Sequence, residues 1–158
     1  MKIVIMGVSG CGKSSVGEAL AIKLNGNFVD GDDLHPEKNR EKMASGIPLN
    51  DDDRWPWLEE VGKTLKNQSN IVVACSALKR AYREKIRDFE PQTRFVHLHG
   101  TRELLESRIN SRADHFMPSS LLDSQISTLE PIEVDEKGRE FDISNPVSQI
   151  VDEVIAWL

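Results

Sequence analysis

Membrane, secretion and nucleic-acid signals are all scarce in this 158-residue chain. Its two cysteines, Cys11 and Cys75, are too few for a disulfide framework and suit a reducing cytoplasm. No apolar run approaches the roughly 20 residues of a membrane helix. The amino-terminus runs straight into a strand-like segment, so no signal peptide is expected. Four histidines and two cysteines show no zinc-ligand spacing. Net charge is −6 with 6% aromatics, and no basic stripe with interleaved aromatics is present, which argues against nucleic acid as a partner. A guanine-recognition N-K-x-D motif is also missing. Asp135-Glu136-Lys137-Gly138 matches the D-x-x-G pattern of nucleotide switches but lies late in the chain and reads as a turn. Internal repeats and low-complexity tracts are absent.

Against this background one motif stands out. Gly7-Val8-Ser9-Gly10-Cys11-Gly12-Lys13-Ser14 is a complete G-x-x-x-x-G-K-S phosphate-binding loop. The apolar run Ile3–Met6 precedes it, and Val16, Leu20 and Leu24 follow at helical spacing. Glycines allow the backbone to curl so that its N–H groups point at a phosphate chain, and the helix beginning near Gly12 adds its positive end. Lys13 is suited to the β- and γ-phosphates and the Ser14 hydroxyl to Mg²⁺. The loop predicts a bound nucleoside triphosphate and leaves the acceptor open.

Apolar runs alternate with helical patterns along the rest of the chain. Phe28-Val29, Ile71–Cys75, Phe95–Leu98 and Phe141–Ile143 read as further strands. Helices are expected near 12–24, 53–67, 79–88, 101–112 and 119–129, with a carboxyl-terminal helix over Val147–Leu158. The alternation predicts an α/β fold, a parallel sheet with helices on both faces, in one domain spanning 1–158. Ligands of such sheets lie beyond the carboxyl ends of the strands, which directs attention to the residues after Met6, Val29, Cys75 and His99.

Those positions are rich in charge. Asp30, Asp32 and Asp33 follow the second strand and suit Mg²⁺, hydroxyl groups or a general base. Asp51-Asp52-Asp53 precede a helix, where acids are favoured, and Arg54 has the geometry for a carboxylate. Lys79 and Arg83 share a helix face after the third strand, and Arg108 and Arg112 share another. Residues 79–112 carry nine Lys/Arg against five Asp/Glu, so cations are concentrated in an acidic protein. The arginine pair followed by Asp114–Pro118 and a new helix reads as a lid over about 108–125, closing on ATP phosphates and excluding water. His97 and His99 alternate along a strand and read as packed polar residues.

The chain resembles the gluconate kinases, small P-loop kinases related to the shikimate and nucleoside monophosphate kinases. The resemblance rests on the loop at 7–14, Gly-Asp-Asp-Leu-His-Pro at 31–36, Asn39, Lys42-Met43, Gly46–Leu49, Asp51–Leu58, Cys75–Lys79, Tyr82-Arg83, His115–Met117 and Leu122–Gln125. It implies a five-stranded parallel sheet ordered 2-3-1-4-5, a helical lid and a homodimer. It also implies phosphoryl transfer from ATP-Mg²⁺ to the terminal hydroxyl of gluconate. Another hydroxy acid, an aldonate or a shikimate-like compound, is the alternative acceptor.

Carried residue by residue, the resemblance assigns Asp32 to the acceptor hydroxyl and Arg54 and Arg83 to the acceptor carboxylate. His35, Lys79 and His115 join the acceptor set, and Arg108 and Arg112 become lid cations. The loop through Ser15 is assigned to ATP, and for Mg²⁺ the sequence offers Ser14 with a strand-end aspartate, Asp30 or Asp32. Ser144-Asn145-Pro146 resembles an adenine-side turn. Cys11 departs from the family, where a small hydroxyl residue is usual. A thiol among oriented N–H groups and beside Lys13 is expected to have a lowered pKa and to react fastest when the site is empty.

Overall fold

A computed structural model describes residues 1–111 and 119–158. Its five strands are β1 (Lys2–Met6), β2 (Asn27–Asp30), β3 (Ile71–Ala74), β4 (Arg94–His99) and β5 (Gly138–Asp142). They pair in parallel in the order β2-β3-β1-β4-β5, the order implied by the resemblance. Seven α-helices accompany them among the described residues: α1 (Lys13–Lys23), α2 (Glu37–Ala44), α3 (Asp51–Asn67), α4 (Arg80–Phe89), α5 (Arg102–Asn110), α6 (Ser119–Thr128) and α7 (Val147–Trp157).

The strand period of two divides the core into two layers. Ile3 and Ile5 of β1 point to one face and pack with Leu20 of α1 and Ile150 and Val154 of α7. Val4 and Met6 point to the other and pack with Leu58, Val61 and Leu65 of α3 and Ile86 of α4. Covered on both faces, the central strands need apolar residues at every position, which explains the unbroken runs at Ile3–Met6 and Ile71–Ala74.

Two elements differ from expectation. Helix α2 was not anticipated, because its sequence, EKNREKMA, has no apolar stripe. Polar contacts hold it instead. Asn39 is buried and donates to the Asp53 carbonyl at 2.9 Å, while the Lys42 ammonium lies 2.8 Å from Asp53 Oδ2. Helix α3 starts at Asp51, earlier than 53, because Asn50 and Asp53 form a reciprocal capping box. Asp53 is thereby a structural residue, bonded to the Asn50 N–H and to Lys42.

A buried ion cluster fixes α4 to the segment before β5. The Arg83 guanidinium is fully buried and meets both oxygens of Glu136, at 2.7 and 3.0 Å. Arg87 reaches the same carboxylate at 3.1 Å, and the Glu133 N–H donates to it at 3.0 Å. Burial pushes the Glu136 carboxyl pKa up, but the bonds from Arg83, the backbone and Arg87 outweigh it and hold the value at about 2. This contribution to stability is complete above the unfolded-state value near 4.5 and is lost as pH falls toward 2. Glu136→Gln leaves two arginines without their counter-charge and should lower unfolding free energy by about 3–5 kcal/mol at neutral pH. In urea titrations from pH 7 to 3 the variant should also lose much of the acid-dependent slope of the parent.

Candidate active site

The carboxyl ends of β1, β2 and β3 open onto one cavity of about 330 Å³, lined in part by Ser9, Gly10, Lys13, Ser14, Asp30, Asp32 and Ser76. The loop that forms its floor curls through positive φ at Gly7, Gly10 and Gly12, as its glycine spacing demands. Close packing adds a second requirement at Gly10, where a Cβ would sit 2.6 Å from the Ile109 side chain of α5. No side chain caps the start of α1, so its first N–H groups are left for a ligand. The Lys13 ammonium folds back on the loop carbonyls of Gly7 and Val8, at 3.0 and 3.1 Å. Gly12 and Ser15 also line the cavity, whereas Gly7, Val8 and Cys11 shape the loop beneath it.

The expectation for Cys11 is overturned. Its side chain is buried, and desolvation raises the thiol pKa despite Lys13, whose ammonium lies 3.9 Å from the sulfur. Burial outweighs the local positive field, so the thiol is held protonated and shielded from solvent.

At the end of β2, Asp30 accepts the Asp32 N–H at 3.0 Å and so starts the single 3₁₀ turn Gly31–Leu34 that turns Asp32 into the cavity. Asp32 is exposed to the cavity, but partial desolvation there raises its pKa, the Asp30 and Asp33 charges raise it further, and Lys13 opposes them. A carboxylate made more basic in this way is suited to accept a proton from a hydroxyl. Asp33 is not brought in, and its carbonyl accepts from Arg40 at 2.7 Å. The turn is clamped from below. Trp57 Nε1 donates to the Gly31 carbonyl at 2.7 Å, and His35 stacks on the Trp57 ring with centroids 4.2 Å apart. His35 therefore supports the turn, bonded to Asn39 at 3.1 Å, and lines neither this cavity nor the next, contrary to its assignment to the acceptor set.

A second cavity, of about 400 Å³, adjoins the first, and Ser76 and Gln125 line both. Its cations are Arg54 and Lys79, each paired with one oxygen of Asp51, at 3.2 and 3.7 Å. The Tyr82 hydroxyl donates to Asp51 at 2.5 Å and accepts from Arg54 at 3.3 Å. These bonds and both cations hold Asp51 below the usual carboxylate pKa, with the Tyr82 bond the largest cause. Arg83 is absent from this cavity. Committed to Glu136 and to the carbonyls of Ala77, Leu78 and Pro131, it is a scaffold residue, and its assignment to the acceptor carboxylate is corrected. Its spacing from Lys79 matched a shared face, but burial decides which cation meets solvent.

Arg108 lies over the start of α1. Its Nη1 is 4.0 Å from where a Cβ on Gly12 would be, and its Nη2 donates to the Ile143 carbonyl just after β5. Arg112, His115 and the rest of 112–118 lie outside the described residues. Sequence reasoning gave Trp57, Ser76, Tyr82 and Gln125 no role. All four fall inside the matched strings, but nothing in the pattern singles them out from their neighbours. His97 is buried and neutral, its pKa lowered to about 4 chiefly by burial, whereas His99 is exposed.

Comparison with known proteins agrees with this geometry. The shikimate kinase family model matches residues 9–156. A probable gluconokinase of Xenopus tropicalis is 47% identical, with 98% of this chain and 91% of the relative covered. The thermosensitive gluconokinase of Escherichia coli K12 is 42% identical over 95% of this chain and 83% of its own length. The crystal structure of a gluconokinase from Sinorhizobium meliloti superposes with a TM-score of 0.90 at 50% identity, covering 98% of this chain and 89% of that one. A shikimate kinase of Bacteroides thetaiotaomicron, 17% identical with a TM-score of 0.74 and coverages of 98% and 96%, shares the fold. A phosphate loop beside a cation-lined second cavity, together with near-full-length identity of this order, shows that the chain belongs to the gluconokinase family of P-loop kinases.

Proposed function

We propose that this chain transfers the γ-phosphoryl group of ATP to the terminal hydroxyl of D-gluconate, giving 6-phosphogluconate and ADP. The observation that carries the reading is the meeting of two cavities at Ser76 and Gln125, one built for phosphates and one holding paired cations. A sugar acid in the second cavity has its carboxylate matched by Arg54 and Lys79, in competition with Asp51. Its far hydroxyl then faces the first cavity, where Asp32 orients it and accepts its proton as the new P–O bond forms.

The loop N–H groups and Lys13 hold the donor phosphates, with Lys13 exchanging its bonds to the Gly7 and Val8 carbonyls for phosphate oxygens. Arg108, and Arg112 from the proposed lid at about 108–125, offset charge on the transferring group. Ser14 and Asp30 line the donor cavity together and fit Mg²⁺, which takes one or two protein oxygens alongside phosphates. Among the described residues no group of three or more acidic, His or Cys side chains is arranged for a metal, so the nucleotide itself would complete the coordination. When bound, Mg²⁺ neutralises phosphate charge. His115 belongs to the same proposal as a lid contact to the acceptor. A homodimer and a cytoplasmic location complete it. No described helix is long and apolar enough to cross a membrane.

A coupled assay of ADP release over gluconate, other aldonates, shikimate and simple polyols tests the acceptor. Gluconate should give the highest kcat/KM, and a preference for shikimate or a polyol would overturn the reading. Asp32→Asn should lower kcat by about 10²-fold or more while the KM for ATP changes little. In the parent, the rate should fall as pH drops through a pKa above the usual carboxylate value, because the base must be ionised. That limb should vanish in the variant. Arg54→Met and Lys79→Met should each raise the gluconate KM by roughly ten-fold, the worth of a charge-assisted hydrogen bond, and leave the KM for ATP near its parent value.

A further inference from the structure

Helix α6 touches both cavities through a single side chain that no step above has used. The Gln125 carboxamide is hydrogen-bonded at both ends to one residue of the phosphate loop. Its Oε1 accepts the Ser9 backbone N–H at 2.7 Å, and its Nε2 donates to the Ser9 hydroxyl at 3.1 Å. Ser9 lines the donor cavity, and Gln125 lines donor and acceptor cavities alike. A phosphoryl group passing from one cavity to the other would cross where they meet, and the bond to Gln125 ties the Ser9 N–H to that junction. In a loop whose N–H groups serve phosphate oxygens, an amide oxygen on one of them stands where a phosphate oxygen would stand.

We infer that Gln125 senses the γ-phosphoryl group. With the loop empty or holding a diphosphate, its carboxamide occupies Ser9. A triphosphate takes the Ser9 N–H and releases the side chain, which then lies free at the edge of the acceptor cavity. The rest of α6 is held in place by other contacts. Leu122 is buried in the core layer beside Leu105 and Ile109, and Asp123 pairs with Arg102 of α5 at 2.8 Å. The competition at Ser9 therefore acts through the Gln125 side chain, at the carboxyl edge of the proposed lid, on the face of α6, with Leu121, Ser124 and Thr128, that lines the acceptor cavity. Donor state is passed to the acceptor wall without unfolding the helix. The acceptor identity rests on the reading above, but the competition at Ser9 does not.

Calorimetry with Mg-ADP and a non-hydrolysable Mg-ATP analogue, without acceptor, tests the inference on the parent, Gln125→Ala and Gln125→Glu. Gln125→Ala removes the competitor for Ser9. The triphosphate analogue should then bind about five-fold more tightly than to the parent, with ADP affinity within two-fold. Gln125→Glu keeps an acceptor oxygen for the Ser9 N–H and adds a negative charge against the γ-phosphoryl. It should weaken the analogue by at least five-fold relative to ADP. A merely structural side chain would move both nucleotides together, so equal changes for ADP and the analogue in both variants would overturn the inference. Turnover of gluconate by the parent, measured alongside, bears only on the acceptor. Its failure would sink the substrate reading and leave the nucleotide ratios to decide the role of Gln125.

Discussion

Backbone N–H groups left without internal partners at the start of α1 are the constraint on which the rest of the site depends. A helix start without a cap leaves its first N–H groups to water or a ligand, and here Gly12 supplies no side chain to relieve it. The loop from Gly7 to Lys13 aims these donors at the cavity it floors, and the sheet supports it from below. Pairing with β3 and β4 holds β1 at the centre, fixing where Gly7 emerges. The same parallel order delivers Asp30, Asp32 and Ser76 to one rim. A sheet that buries both faces is what allows three separate segments of chain to present polar groups at a common edge.

Several polar groups proposed to meet a ligand already have a replaceable internal partner. Lys13 rests on two loop carbonyls, Arg54 and Lys79 share Asp51, Arg108 holds the Ile143 carbonyl, and the Ser9 N–H is taken by Gln125. These partners keep desolvated groups satisfied and remain exchangeable, because each offers only one or two bonds at a partly exposed site. The charges at the rim alternate for the same reason. Asp51 keeps two cations close without neutralising them beyond the reach of a better anion, and the Tyr82 hydroxyl fixes the oxygen that Arg54 uses.

Much of this is legible in the amino-acid sequence. Unbroken apolar runs marked the inner strands, because both faces of a parallel sheet demand them, and the glycine spacing marked the phosphate loop. Helix α2 was hidden because periodicity detects burial of apolar stripes, and α2 is anchored by Asn39 and Lys42 through hydrogen bonds. Cys11 was misread because a positive neighbourhood and a buried one have opposite effects on a thiol, and only the fold reveals which is larger. His35 lay in a matched string, yet its ring is spent on stacking with Trp57 to hold the turn that aims Asp32. Gln125 carried no signal, since its partner Ser9 lies 116 residues away in sequence.

Arg83 shows how a wrong assignment can still lie close to the chemistry. Its spacing from Lys79 placed it on the correct helix, but the guanidinium points inward and donates to the carbonyls of Ala77 and Leu78 at 3.0 and 3.3 Å. Ala77 is a buried non-glycine residue with φ of 45°, a left-handed conformation that carries a cost and persists only where surrounding contacts hold it. The preceding carbonyl, that of Ser76, accepts the Gly7 N–H at 3.2 Å and so ties this bend to the phosphate loop. The bend carries Ser76, which lines both cavities, and leads directly to Lys79. A guanidinium is suited to this task because its fixed fork satisfies a carboxylate on one side and two carbonyls on the other. Glu136 holds that fork in place, so the buried ion pair between α4 and the segment before β5 helps set the shape of the wall between the two cavities.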